Sequence, residues 1–355
     1  MQTTMPVGRR QALAHASYRM KLLPALRSLY EMVSNRDLRV LAYHRVLEAI
    51  EPPEFDFDVD LISASADAFR MQMLHVRQDY APMRFDEVAE CIGRGRRLPK
   101  KAVLVTFDDG YDDNHRVAFP ILRDLGMSAM FFVSTGHIDS GGPYAYDWLV
   151  HMLCRSPGKR LRLSELGLDW VMGNSLAERR GQAVELLGRI KALDADTQSA
   201  LILRLEAEWG MPRTSASQYC RPMTWEQLRE MRAAGMEVGS HGVHHSMLSK
   251  LPHDRMVAEV VESRRALHRE LGGEAIALSY PVGGPDAYDA RTIEAVRDAG
   301  YLVACSYTSG VAAIGRTDPY AIPRLAVERE MGQAWFEAML AAPGLFAYSS
   351  KRRMG

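Results

Sequence analysis

The chain has 355 residues, 47% hydrophobic and 25% charged, the usage of a globular protein long enough for one large α/β domain or two to three smaller ones. Its 44 Lys and Arg balance 44 Asp and Glu, so no overall field draws in nucleic acid, and any charged partner must be recruited locally. The four cysteines, Cys91, Cys154, Cys220 and Cys305, stand far apart with no CxxC pair, which excludes a zinc ribbon or disulfide framework and leaves buried, reduced thiols.

Residues 1–36 lack the unbroken apolar run of a secretory signal, and no stretch reaches the roughly 18 apolar residues of a membrane span. The expectation is a cytoplasmic chain, with the inner face of the membrane as a place of peripheral contact. Leu22, Leu23, Leu26, Leu29, Tyr30 and Val33 recur at helical spacing among Arg9, Arg10, Arg19, Lys21, Arg27 and Arg36. Such a basic amphipathic segment either packs against the main domain or touches an anionic membrane through residues 9–36. Pro24 starts or breaks the helix.

Seven short apolar runs follow, at 38–44, 102–107, 129–134, 236–241, 275–280, 301–307 and 321–327. Helical patterns precede most of them. "SADAFRMQMLHVRQDY" opens on a Ser N-cap, "TWEQLREMRAAG" carries a Thr-x-x-Gln capping box, and that run and "RTIEAVRDAG" both stop at Gly. Alternation of this kind predicts an α/β protein with a parallel sheet and outer helices, here a distorted or incomplete (β/α) barrel of about seven strands spanning 37–345. From about 140 to 220 the pattern is helical without a strand, an insertion between the third and fourth strands that serves as lid, partner surface or plain elaboration. Residues 346–355 read as a tail.

In parallel β/α folds the loops at the C-terminal strand ends converge on one rim. Here those ends carry His44, the pair Asp108 and Asp109, and His241 with His245. Two imidazoles and one carboxylate make a metal face that leaves positions open for water and substrate. His244 competes with His245 as the second imidazole if the loop turns differently. A cation would also explain two adjacent carboxylates at the end of the apolar run "AVLVTF", since it offsets the charge of one of them.

"TFDDG" followed by His-x-x-x-His resembles the polysaccharide deacetylases, the NodB-type family also called carbohydrate esterase family 4, from about Leu38 to Val327 apart from the insertion. The resemblance implies a distorted β/α barrel in which Asp108 is the base and Asp109, His241 and His245 hold a divalent metal, usually zinc. The family's Arg-x-Pro-aromatic run stands here as "SYPVGG": Pro281 is kept, Ser279 replaces the arginine and Val282 the aromatic. The backbone N–H of Val282 still suits an oxyanion, because that role needs no side chain. Arg324 in "IPRL" either replaces the missing guanidinium beside the base or is structural. No histidine follows His268, so the late Leu-x-His motif is absent, and "YHRV" at 43–46 resembles the layout of the poly-N-acetylglucosamine deacetylase branch. On that reading His44 is the general acid, the alternative being a buried histidine. Asp147 and Trp148 of "YDWL" are read as wall of the sugar groove, without a catalytic part.

The implied activity is metal-dependent hydrolysis of N-acetyl groups from an amino sugar in a polysaccharide or its precursor, as in exopolysaccharide biosynthesis. The partner is then an N-acetylated glycan, and no nucleic acid. An O-acetyl esterase, an amidase on a non-sugar C–N bond, and a non-catalytic carbohydrate-binding scaffold are the competing readings, because metal and base do not select the acyl acceptor.

Overall fold

The seven apolar runs form the strands β1 (Asp37–Tyr43), β2 (Ala102–Phe107), β3 (Met130–Val133), β4 (Glu237–Ser240), β5 (Ala277–Ser279), β6 (Val303–Ser309) and β7 (Ile322–Ala326) in a computed structural model that describes residues 7–34, 37–49, 55–214 and 216–348. They pair in the order β1-β7-β6-β5-β4-β3-β2, all parallel. β2 returns to β1 from Arg39↔Val103 to Tyr43↔Phe107, so the barrel is closed, not incomplete. A register shift between Cys305 and Ser309, where β6 meets β7, distorts it.

Side chains alternate along each strand, and the alternation sorts them into two cores. Leu38, Val40, Ala102, Leu104, Met130, Phe132, Ala277, Cys305 and Ile322 fill the lumen. Their neighbours Leu41, Val103, Val105, Phe107, Phe131, Val133, Leu278, Ala304 and Leu325 face the helical shell. The phase matters for function, because continuing it along β2, β5 and β7 turns Thr106, Asp108, Ser279 and Arg324 toward the lumen at its C-terminal mouth.

The helices named below are α1 (Val7–Arg19), α2 (Leu23–Val33), α3 (Ala66–Asp79), α4 (Ala145–Arg155), α5 (Leu176–Lys191), α6 (Ala195–Trp209), α7 (His253–Leu271) and α8 (Gln333–Ala341). Ser65 caps α3 by accepting from the Ala68 N–H, and Thr224 with Gln227 forms the capping box of the helix Trp225–Ala233. The insertion after β3 contains α4, α5 and α6 around their own core, to which Phe55 and Phe57 contribute. It also contains an antiparallel hairpin, Arg160–Leu163 with Leu168–Val171, which corrects the expectation of helices alone. Leu161, Leu163 and Leu168 point inward from it while the arginines point out, and Gly167 makes the turn with a φ of 61°.

Pro24 sits in the first turn of α2, where its missing N–H costs nothing. Both α1 and α2 lie on α8. Ala14 and Leu23 are buried there, Arg10 donates to the Ala347 carbonyl, and Arg39, over the ring of Tyr30, donates to the Leu340 carbonyl at 2.9 Å. Phe346 and Tyr348 are buried as well. Residues 1–6, 35 and 36 of the N-terminal segment, Arg36 among them, and 349–355 of the tail, lie outside the described residues. Among the described residues no helix is long and apolar enough to cross a membrane. All four cysteines are free, and Cys154, Cys220 and Cys305 are buried.

Candidate active site

Past Phe107 the chain leaves β2 in a turn tied to the neighbouring strand by the Asp108 N–H on the Tyr43 carbonyl, 3.0 Å. Asp109 takes a φ of 74° and Gly110 one of 86°. A Cβ at Gly110 would meet Val133 Cγ1 at 2.8 Å, so the glycine of "TFDDG" lets the turn press against β3. Five non-glycine residues have positive φ among those described, and three of them, Asp109, His245 and Val282, stand around this mouth. Strained backbone of this kind persists where surrounding structure over-determines it, and it gathers at functional sites.

His241 and His245 converge on Asp109. Their Nε2 atoms lie 3.4 and 3.1 Å from Asp109 Oδ1. His241 Nδ1 is 2.7 Å from the Ser279 carbonyl, which only accepts, so that nitrogen carries a proton and Nε2 is the ring atom turned to Asp109 and free to meet a cation. One ligand atom from each residue lies within 4.8 Å of the others, and Asp109 and His241 are buried. This donor set, two imidazole nitrogens and a carboxylate with an outer hydrogen bond fixing one ring, fits a divalent first-row cation. His244, the competing histidine, turns away: its side chain is 73% exposed and bonds Glu259 at 2.6 Å, while a φ of 58° at His245 reverses the chain inward. Burial disfavours the charged Asp109 carboxyl, but the two imidazoles outweigh it and hold it well below the usual range. The Tyr144 hydroxyl donates to the Asp109 carbonyl.

Asp108 points beside this group, into the grip of Arg324. The guanidinium donates to Oδ1 at 2.8 Å and to Oδ2 at 2.6 Å, and its other N–H groups reach Ser306 O (2.9 Å), Ser279 Oγ (3.0 Å) and Thr106 Oγ1 (3.2 Å). Ser279, standing where the family has its arginine, thus accepts from the arginine supplied by β7. Burial opposes ionisation of Asp108, but Arg324 and then His241 outweigh it and bring the carboxyl from 3.8 down to about 2. Its ionisation therefore stabilises the fold above pH 3.8, a contribution lost as pH falls through about 2. His44 Nε2 lies 3.9 Å from Asp108 Oδ2, and its ring meets Tyr307 edge-on at 5.4 Å. The His44 carbonyl accepts from Asn114 at 2.8 Å. Pro281, buried, leads from β5 into Val282, whose φ is 65°.

A pocket of about 380 Å³ opens over these groups. Tyr111, Tyr307 and Val282 line it from the barrel side, and Tyr144, at the start of α4, with Leu187 and Lys191 of α5 from the insertion, which is therefore one wall of the site. Asp147 lines it too, accepting from the Asp58 N–H (2.8 Å) and the Tyr111 hydroxyl (3.2 Å), 3.6 Å from Arg45. Burial pushes its carboxyl up to about 7 against the pull of Arg45. Trp148 does not share that wall: it turns into the insertion core and donates to the Met211 carbonyl at 3.0 Å, because successive helical residues face different ways. Arg45, wholly buried, pairs with Asp113 at 2.8 Å and stacks 4.1 Å from the Tyr111 ring centre. The sequence reading missed this support, although Arg45 follows His44 directly and Asp113 stands four residues after Asp109.

The profile of the family described as polysaccharide deacetylase matches residues 95–304, and the chain belongs to that family, whose general activity is hydrolysis of acetyl groups. YxkH of Bacillus subtilis (strain 168), whose name places it among the polysaccharide deacetylases, is 21% identical over 305 residues, 85% of this chain and 76% of its own length. A shorter stretch of 75 residues, 21% of this chain, is 37% identical to the poly-β-1,6-N-acetyl-D-glucosamine N-deacetylase of Escherichia coli K12, covering 11% of that protein. Among solved structures, the Streptococcus pyogenes deacetylase PplD in complex with acetate superposes with a TM-score of 0.56 at 18% identity, covering 88% of this chain and 98% of that one. At that identity it speaks for the fold.

Proposed function

We propose that the protein removes N-acetyl groups from an amino sugar in a polysaccharide or its precursor, with Asp108 as base and His44 as acid on opposite sides of the acyl group. The observation that carries this reading is the division of labour between the adjacent carboxylates: Asp109 faces two imidazoles, whereas Asp108 faces a guanidinium and the pocket. A divalent ion, zinc by the resemblance, would be held by Asp109, His241 and His245, and would supply Lewis acidity that polarises the acyl carbonyl and lowers a water's pKa towards about 7. Asp108 takes the proton of the water that attacks the acetyl carbon, and Arg324 keeps the carboxylate ionised and aimed. The Val282 N–H donates to the oxyanion of the tetrahedral intermediate. Protonated His44 gives its proton to the amine nitrogen as the C–N bond breaks, and acetate and a free amino sugar leave. The Escherichia coli relative's named activity supports an N-acetylglucosamine polymer as substrate.

Acetate release from β-1,6-linked N-acetylglucosamine oligomers, set against release from an acetylated xylan, tests the reading. Release from the first alone is expected. Release from xylan alone makes the protein an O-acetyl esterase, and release from neither, by protein shown to hold its ion, removes both acetyl-sugar readings.

His44→Ala is expected to slow amide cleavage by about 10²–10⁴-fold but an activated ester, whose leaving group needs no proton, far less. Equal losses in the two assays would make His44 structural.

Arg324→Lys trades a bidentate fork for a point charge. Burial, which opposes ionisation of Asp108, remains while the largest opposing influence weakens, so the carboxyl rises from about 2. The acid limb of the kcat/KM profile is expected to move to higher pH, with roughly a tenfold loss near neutrality. An unmoved acid limb would separate Arg324 from the base.

A further inference from the structure

The end of the barrel opposite the catalytic rim has its own chemistry. The segment leading into β2, 94–101, reads RGRRLPKK: Arg94, Arg96, Arg97, Lys100 and Lys101 without one acid. Arg96, Arg97 and Arg316 are exposed, and with Val33 and Ser34 at the end of α2 they line a groove of about 930 Å³. Few carboxylates answer them. Glu90 pairs with Arg94 (2.5 Å) and Arg96 (3.5 Å), Asp37 is taken by the Tyr30 hydroxyl at 2.8 Å, and Asp318 is the other acid lining the groove. The sequence extends this bias, since residues 1–30 hold Arg9, Arg10, Arg19, Lys21 and Arg27 and no Asp or Glu.

α2 adds an apolar component. One face, Leu23, Leu26 and Tyr30, packs inward. The other carries Leu22, Ala25, Leu29, Met32 and Val33, spaced at i, i+3, i+7, i+10 and i+11, all exposed, with Met32 and Val33 82% exposed. Arg27 is tied to Asp79 at 2.7 Å off that stripe. A helix apolar on both sides is normally covered on both sides, yet no described residue covers this one. The stripe and the arginine groove meet at Val33.

A nucleic acid would satisfy the arginines but leave Leu29 and Met32 in water. An anionic bilayer satisfies both at once, with cations at the phosphates and apolar side chains at the boundary of headgroup and acyl chain. We propose that this face docks the protein on an anionic lipid surface, Leu29, Met32 and Val33 entering the interface while Arg96, Arg97 and Arg316 lie among the headgroups. Asp108 and its pocket, at the other end of the strands, then face the aqueous side.

Co-sedimentation of the full chain with vesicles tests this without any substrate. Binding is expected to vesicles of phosphatidylcholine with phosphatidylglycerol, to be weak on phosphatidylcholine alone, and to fall with salt. Arg96→Glu/Arg97→Glu should lower it by at least roughly thirtyfold, and Met32→Glu/Val33→Glu by at least tenfold, about the loss from two exposed apolar anchors. Unchanged melting curves of both variants show that the fold is kept. No pelleting with the anionic vesicles, equal pelleting of wild type and variants, loss of pelleting on adding millimolar inorganic phosphate at constant ionic strength, or a dimer in sedimentation velocity that Met32→Glu/Val33→Glu disperses would each overturn the proposal.

Discussion

Asp109→Ala is expected to leave the protein without its ion and without measurable acetate release. The carboxylate sits between two imidazoles at 3.1 and 3.4 Å, and its removal leaves two neutral donors with no charge to offset a dication. Losing even an outer partner of a metal ligand costs 10–100-fold in affinity, so losing the anionic ligand itself should cost at least about a hundredfold. Metal content after gel filtration with one equivalent of zinc reads this directly, as one ion per wild-type chain against a trace in the variant. His241→Ala and His245→Ala should behave alike. His244→Ala is the control, because that ring is turned out to Glu259 and should leave metal content unchanged. Full occupancy in Asp109→Ala would take Asp109 out of the ligand set, and loss of the ion in His244→Ala alone would mean that the loop after β4 presents a different histidine.

That choice between His244 and His245 shows where the sequence stops being legible. The spacing His-x-x-x-His says that two imidazoles are near each other, but which of two adjacent residues turns inward depends on one φ of 58°, and no side-chain pattern encodes it. The strands were legible because each is a run of three to seven residues, largely buried from both sides in a parallel barrel, set within a short apolar stretch of sequence, which makes its signal strong. The hairpin at 160–171 was not. Its strands are four residues each, with arginines on the outer face, and only Leu161, Leu163, Leu168 and the partly buried Trp170 mark the inner one. Arg324 could be named as a substitute guanidinium, whereas the shell that aims it, Thr106, Ser279 and the Ser306 carbonyl, comes from three further strands. Such convergence is a property of closure. The phase of alternation in β2 carries it in principle, since Leu104, Thr106 and Asp108 fall on one side.

Asp108→Asn is expected to lower acetate release by about 10²–10⁴-fold, the usual worth of a positioned base, while the protein keeps its ion, because Asp109, His241 and His245 are untouched. Stability should fall as well. Arg324 is 1% exposed, and breaking one side of a buried ion pair commonly costs about 3–5 kcal/mol. Here the guanidinium keeps Ser306 O, Ser279 Oγ and Thr106 Oγ1, which places the loss at the lower end, about 3 kcal/mol. A drop in activity alone would thus not tell a missing base from a distorted mouth. The double variant Asp108→Asn/Arg324→Met separates the two, since it removes both charges and leaves an apolar side chain of similar length in the lumen. Its melting temperature is expected to recover much of the loss, as buried ion pairs replaced by apolar groups often do, with acetate release as low as in Asp108→Asn. If activity recovers together with stability, Asp108 was holding the arginine in place and another group takes the proton. If stability recovers and activity does not, the carboxylate is the base.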